Sequence, residues 1–181
     1  MINRYLHGLI GFCFLAVVSA QTTRETVRDG SGRIVQTIEH RQDSSGRIVS
    51  VARDASGRII STAQTSPASS SGQTRTQYRD AQGRLTGTAQ SHQSTQQQRT
   101  EFRDASGRLS GTAVTQPPSS SRTSQTQFRD ASGRLTGSAQ TRSNATGFSQ
   151  IQRDSSGRIT TQSQGNGMIR GGQTRPLPLQ R

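Results

Sequence analysis

A short motif recurs along this chain and constrains its fold more than any other feature. The string Arg-Asp-x-Ser-Gly-Arg followed by Ile or Leu, or a close variant, occurs seven times in 181 residues. Repeats of this kind are supersecondary units that cannot bury an apolar face alone and stack on their neighbours. The seven Asp–Gly pairs are Asp29 and Gly32, Asp43 and Gly46, Asp54 and Gly57, Asp80 and Gly83, Asp104 and Gly107, Asp130 and Gly133, and Asp154 and Gly157.

Each copy predicts a β-hairpin whose turn is the motif itself. Asp at the first position of a type I turn can bind the turn's own backbone, and Gly at the fourth position adopts positive φ at little cost. A type I turn followed by a left-handed Gly is a common hairpin connection. The flanking residues, 77–79 and 84–86 in one copy, favour extended backbone. The predicted fold is therefore all-β, with antiparallel β-hairpin repeats forming a thin or spiralled sheet.

Two registers of the hairpin remain open at this point. In a bulged turn Asp80 faces Arg84, an opposite-charge pair that contributes roughly a few tenths of a kcal/mol. In a loop one residue wider Tyr78 faces Leu85, which favours packing but sets Arg79 against Arg84. We prefer the register that pairs Asp with Arg.

The spacing of the copies predicts how the chain is organised. Residues 21–63 contain three closely spaced copies and predict a β-meander with turns at alternating ends. Residues 64–163 predict four spaced hairpins whose turns lie at one end. Their Ser-, Gln- and Thr-rich linkers (65–73, 91–98 and 116–125) and the tail at 164–181 are expected to be disordered.

The first 20 residues have the pattern of a secretory signal peptide. An apolar run precedes Val18 and Ala20, the small residues expected before a cleavage site. The run is about half the ~20 residues that span a bilayer. Cys13, the only cysteine, lies in this segment, so the mature chain is expected to form no disulfide. The segment predicts a secreted or periplasmic protein without an integral membrane segment after cleavage.

The composition argues against an enzyme. Hydrophobic residues make up 27% of the chain and aromatic residues 4%, too few for a deep, dry cleft. His40 and His92 follow the signal peptide without metal-ligand spacing, and no Ser is singled out by a His–acid arrangement. The turn motif offers one carboxylate flanked by Arg, which is too few oxygens for calcium. The sequence therefore predicts no catalytic residue, no cofactor and no metal site.

The charge is high and comes entirely from one residue type. All 23 basic residues are Arg, and the formal net charge is +13. Arg is suited to bidentate contact with phosphate, sulfate or carboxylate. The repeats could form a multivalent surface for anionic polymers such as lipopolysaccharide or sulfated glycans. They could instead be solvated charges that protect the edges of a flat sheet, and this is the interpretation that we favour from sequence alone. The candidate anion-binding residues are Arg33, Arg47, Arg58, Arg84, Arg108, Arg134 and Arg158.

Residues 78–86 resemble the bacterial YD, or Rhs, repeat, whose core reads Tyr-Asp-x-x-Gly-Arg-Leu-Thr. Its Asp, Gly, Arg and Leu fall on Asp80, Gly83, Arg84 and Leu85, and the resemblance covers roughly residues 27–160. The Tyr before Asp is replaced by Arg in six copies and by Gln42 in the other. The resemblance implies β-hairpin repeats in a secreted bacterial protein, and it does not transfer the toxin-delivery activity of longer family members.

The sequence as a whole predicts a non-enzymatic repeat protein with a binding or structural role at the bacterial envelope. An anionic glycan, lipopolysaccharide, or an envelope or host protein is the expected partner. Aromatic residues are too scarce for dedicated binding of nucleic acid. The alternative is a secreted virulence or interbacterial-competition factor that acts on a host or competitor partner.

Overall fold

The computed structural model describes residues 22–118 and 122–166, and within these ranges every regular element is a β-strand. Buried residues alternate along the first ten strands, which is the period expected where one face of a sheet is covered. The strands are β1 (Thr23–Asp29), β2 (Ile34–Gln42), β3 (Ile48–Asp54), β4 (Ile59–Thr65), β5 (Gln73–Asp80), β6 (Leu85–Gln93), β7 (Gln98–Asp104), β8 (Leu109–Gln116), β9 (Thr123–Asp130), β10 (Leu135–Ser143), β11 (Gly147–Asp154) and β12 (Ile159–Asn166).

The strands form a closed antiparallel barrel with the simplest connectivity. Each strand pairs with the next along the chain, and β12 pairs with β1. The prediction of antiparallel β-hairpin repeats is confirmed. The sequence predicted a thin or spiralled sheet, and the structure shows in addition that this sheet closes on itself. Closure removes the exposed edges that an open sheet of this length would have to protect.

One register repeated six times explains the closure. Within a hairpin, the residue two before the Asp faces the residue seven after it, as Tyr78 faces Gly87. That second residue then faces the Asp of the next hairpin, as Gly87 faces Asp104. The closing pair obeys the same rule, because Thr161 faces Asp29. Each hairpin is thus shifted by two residues along the strand direction relative to the hairpin before it. Six such shifts give the total shift in register that allows the strands of a barrel to tilt and the sheet to close.

Six of the seven motif turns lie at the same end of the barrel. They connect β1 to β2, β3 to β4 and so on, and their Asp residues recur at intervals of 24 to 26 residues. The turn at Asp43 connects β2 to β3 and therefore lies at the opposite end. The structural repeat is a hairpin of about 25 residues, and the Asp43 turn is an additional copy within the first repeat.

Strands extend further into the Ser-, Gln- and Thr-rich segments than the sequence suggested. β6 continues to Gln93 and β7 begins at Gln98, so the expected disordered linker at 91–98 is reduced to a short turn. β12 continues to Asn166, which corrects the predicted start of the tail at residue 164. The predicted signal peptide at residues 1–20, residues 119–121 and the predicted tail from residue 167 onward lie outside the described residues.

Small residues on neighbouring strands make room for the few aromatic side chains of the interior. Phe128 is 1% exposed, and it faces Ala113 on one neighbouring strand and Gly137 on the other. Tyr78 lies in the same way between Ala63 and Gly87. An aromatic ring facing a Gly covers backbone that would otherwise be bare, so such pairs stabilise a sheet and help to define its register.

Buried hydroxyl groups pair with each other between hairpins. Three pairs have the same separation of 2.8 Å between side-chain oxygens. A buried hydroxyl is costly unless it is hydrogen-bonded. Pairing therefore allows Ser and Thr to face the interior, which is how strands can form in segments rich in polar residues. The pairs are Thr65 with Thr76, Ser91 with Thr100, and Thr115 with Thr126.

Candidate anion-binding rim

The six motif turns at one end of the barrel form the surface that we call the turn rim. In every one of them the turn is flanked by two Arg residues, one immediately before the Asp and one immediately after the Gly. Neighbouring turns are about 10 Å apart, because two strand spacings of about 4.8 Å separate successive hairpins. The turn rim comprises residues 28–33, 53–58, 79–84, 103–108, 129–134 and 153–158.

The turn has the same hydrogen bonds in each copy. In the copy at Asp80, the Asp80 N–H donates to the Arg84 carbonyl oxygen at 2.9 Å, and the Gly83 N–H donates to the Asp80 carbonyl oxygen at 3.0 Å. Gly83 has a φ of 81°, so the turn is type I followed by a left-handed glycine. Asp80 faces Arg84, and Tyr78 and Leu85 lie on opposite faces of the sheet. This is the register with the bulged turn.

Each Asp carboxylate accepts hydrogen bonds from backbone N–H groups of the turn that it begins. Asp80 Oδ1 accepts hydrogen bonds from the backbone N–H groups of Gln82 at 3.0 Å and Arg84 at 2.9 Å. Desolvation opposes ionisation of Asp80, but hydrogen bonds from the Arg84 side chain and backbone outweigh it and lower the pKa of the carboxyl group. At Asp29 and Asp154 a hydrogen bond from the Ser two residues later is the main cause of a lowered pKa. The Asp side chains therefore act mainly on their own turns.

The Arg before each Asp is positioned over its own turn. Its Nη1 donates to the carbonyl oxygen of the turn Gly at 2.9 to 3.1 Å in all six copies. One such bond uses one of the five N–H donors of a guanidinium group. These residues are Arg28, Arg53, Arg79, Arg103, Arg129 and Arg153.

The Arg after each Gly projects into solvent. All six of these residues are exposed, and Arg84, whose Nε lies 2.8 Å from Asp80 Oδ2, still has 77% of its side chain accessible. Twelve Arg and six Asp give the turn rim a formal charge of +6. The structure brings together six of the seven candidate anion-binding residues, namely Arg33, Arg58, Arg84, Arg108, Arg134 and Arg158.

The seventh candidate, Arg47, lies at the opposite end of the barrel. Its turn begins at Asp43 and has the same backbone hydrogen bonds as the turns of the rim. Gln42 takes the place of the preceding Arg, and its Nε2 donates to the Gly46 carbonyl oxygen at 3.3 Å. The motif alone therefore does not specify the end of the barrel at which a turn lies.

A buried Glu–His pair occurs inside the first hairpin, at positions where most other hairpins have hydroxyl groups. His40 Nε2 lies 3.6 Å from Glu25 Oε2, and His40 Nδ1 lies 3.0 Å from Ser50 Oγ. Burial raises the pKa of Glu25, and interactions with His40 and Ser163 partly offset that effect. Glu25 is 1% exposed and His40 is 6% exposed, so this cluster does not form an accessible site. Spacing along the sequence does not predict this cluster, because Glu25, His40 and Ser50 lie on three different strands.

Two further observations bear on the chemistry of the protein. In the part of the chain that the structure describes, no group of three or more His, Cys, Asp and Glu could hold a metal ion. Within the same residues, no helix is long and apolar enough to cross a membrane.

No protein-family model matches this chain, and no curated protein matches it. The resemblance to YD repeats thus rests on the motif residues alone.

Proposed function

We propose that this protein is a non-enzymatic binding module whose turn rim binds anionic polymers at several points simultaneously. The observation that supports this proposal best is the convergence of six turns with the same backbone hydrogen bonds, each with two Arg, at one end of a barrel. Because the carboxylates accept hydrogen bonds within their own turns, the guanidinium groups are the charged groups that a ligand would meet first. Phosphate, sulfate and carboxylate groups match the planar fork of Arg.

Repetition compensates for the weakness of each contact. A single exposed Arg gains little from an ion pair in water. When one polymer spans several turns about 10 Å apart, each later contact is intramolecular, and linked sites can exceed the single-site affinity by roughly 10²- to 10⁴-fold. A polymer with regularly spaced charges is therefore a better ligand than a small anion.

The proposed setting is the bacterial envelope or the space outside the cell. The signal-peptide pattern in residues 1–20 supports a secreted or periplasmic protein. Lipopolysaccharide and acidic glycans are the abundant polymers there that fit the charge of the rim. The resemblance of the repeats to those of secreted bacterial proteins supports the same setting.

The test compares two variants that lose the same number of charges. The rim variant replaces the six exposed Arg after the turn glycines with Gln, and binding to heparin and to lipopolysaccharide is measured at several salt concentrations. The control variant replaces six Arg at the opposite end of the barrel. The rim set is Arg33, Arg58, Arg84, Arg108, Arg134 and Arg158, and the control set is Arg41, Arg47, Arg75, Arg99, Arg122 and Arg142.

We expect the rim variant to lose roughly 100-fold or more in affinity and to depend less on salt, because several charged contacts are removed together. The control variant should bind nearly as well as the wild type. Equal losses in both variants would show that net charge and not the rim determines binding. Far-UV circular dichroism establishes that both variants keep the sheet.

A further inference from the structure

A ring of exposed aliphatic side chains lies directly beside the Arg residues of the turn rim. The residue after the second Arg of each rim turn is Leu or Ile, and five of these six side chains are 37% to 44% exposed. We call this ring the aliphatic collar, and we include the sixth position, the partly exposed Ile159. The collar is Ile34, Ile59, Leu85, Leu109, Leu135 and Ile159.

The register places each collar residue opposite an Arg. Leu85 faces Arg79, Leu109 faces Arg103, and the other hairpins have the same pair at the same height. Guanidinium and aliphatic side chains therefore alternate around the outside of the barrel, just below the turns. The methylene groups of Arg can pack against apolar neighbours while its guanidinium group remains in a polar layer.

The exposed aliphatic residues are concentrated at this end. Among the described residues, seven large hydrophobic side chains are exposed, and five of them belong to the collar. The other two are Val35, which adjoins the collar, and Val49. Elsewhere the outward positions of the strands are mostly Thr, Gln, Ser and Arg, as on β6 and β10. A sheet that needed its outer face only for solubility would have no reason to repeat an aliphatic residue at this one height.

We propose that the turn rim docks onto the surface of an anionic lipid layer, with the collar reaching the boundary between head groups and acyl chains. This inference rests on the proposed function and specifies its partner as an anionic amphiphile instead of a soluble polymer. The charge of +6 complements anionic head groups. A soluble polyanion would use the Arg residues alone, whereas a lipid surface also provides an apolar layer for the collar.

The dimensions agree with docking by the end of the barrel. The turn extends about two residues, or roughly 6 Å, beyond the collar. Amphipathic elements that bind at membrane interfaces insert by about 5–10 Å. With the turns among the head groups, the collar side chains would lie at the depth where burial of apolar surface becomes favourable.

Vesicle co-sedimentation and heparin retention, measured together, test the proposal. One set of vesicles contains phosphatidylcholine only, and the other contains phosphatidylcholine mixed with phosphatidylglycerol. The collar variant replaces Leu85, Leu109 and Leu135 with Thr. The matched control replaces three outward-facing valines below the rim with Thr, namely Val49, Val51 and Val114.

We expect the wild type to bind the anionic vesicles and not the neutral ones. The collar variant should bind anionic vesicles at least roughly tenfold more weakly and keep its retention on heparin, because it loses apolar contacts and no charge. The valine control should behave as the wild type in both assays. The rim variant described above should lose both activities.

Several outcomes would overturn the proposal, and they separate it from the proposed function. If the wild type binds heparin but not anionic vesicles, or if the collar variant binds vesicles as well as the wild type, the lipid surface is wrong and polymer binding stands. If the wild type binds neither, the proposed function fails as well. Loss of both activities by the collar variant would also reject a specific role of the collar.

A second measurement does not depend on the stability of the triple variant. An environment-sensitive fluorophore is attached to Leu109→Cys or to Val51→Cys, each in a chain in which Cys13, the only natural cysteine, is replaced by Ser. On addition of anionic vesicles, the emission of the probe at residue 109 should shift to the blue while that at residue 51 stays unchanged. An unshifted probe at residue 109 would contradict insertion of the collar.

Discussion

Closure of the barrel between its first and last strands can be tested by one engineered disulfide. Thr26 on β1 and Gln164 on β12 face each other directly in the closing strand pair. The Cβ atoms of such opposite residues are about 4.5–5.5 Å apart, close enough for a disulfide after a small adjustment. In an open sheet with the same strand order, β1 and β12 would be the two edges, about 50 Å apart. The double variant Thr26→Cys, Gln164→Cys should therefore oxidise within one chain only if the barrel is closed.

The expected stabilisation follows from the length of the loop that the bond closes. Residues 26 and 164 enclose about 140 residues, for which the loss of unfolded-state entropy corresponds to roughly 5 kcal/mol. Strain in the bridge reduces that value, so we expect the oxidised protein to be about 2–5 kcal/mol more stable than its reduced form. Urea unfolding with and without reductant measures this difference.

The assay needs a background without other thiols and a matched control. Cys13 is the only cysteine of the chain, so it is replaced by Ser in all variants. Non-reducing electrophoresis and mass spectrometry detect the bond in the double variant. The control keeps Thr26→Cys and moves the second cysteine to Thr112→Cys on β8, which does not adjoin β1. Free thiols in both variants, with a native circular dichroism spectrum, would refute the closed barrel.

The remaining predictions concern the interior and the turns. Phe128→Ala should lower the free energy of unfolding by about 3–5 kcal/mol in urea titration, because a fully buried ring is removed. Gly107→Ala should cost about 1–2 kcal/mol in the same titration, since φ is 81° and the added Cβ meets nothing within 4 Å. Gly87→Ala should cost more, because its Cβ would lie 2.6 Å from the Arg103 carbonyl oxygen. Burial raises the folded-state pKa of Glu25 above its ordinary value of 4.5, so its contribution to stability is present below that pH and is lost as the pH rises. The melting temperature of Glu25→Gln, measured relative to the wild type, should accordingly increase between about pH 4 and about pH 7, and a constant difference would contradict this cause.

The turn and its register could be predicted from the sequence because both are local. Asp80 and Gly83 are three residues apart, and the hydrogen bonds that fix their turn involve only residues 80 to 84. The inward direction of Tyr78 and the outward direction of Leu85 then follow from alternation along the strands.

Closure and the interior could not be predicted in the same way, because both depend on how one hairpin meets the next. The signal was present in the residues after the turn, where Gly87 and Ala89 recur in later hairpins as Gly111 and Ala113. The sequence alone does not show why small residues recur at these positions. They become informative only when Tyr78 and Phe102 are known to lie beside them on the adjacent strands.

The additional turn at Asp43 separates what the motif does locally from what the rim requires. Its backbone hydrogen bonds match those of the six rim turns, and Gln42 reaches the Gly46 carbonyl oxygen much as the Arg does elsewhere. An Arg before the Asp is therefore not needed to form the turn. That Arg is nevertheless present in all six turns of the rim and absent from the one motif turn at the opposite end. If Arg served the turn alone, its presence would follow the motif. Because it follows position on the barrel instead, this Arg fits the proposed function of the turn rim as a binding surface.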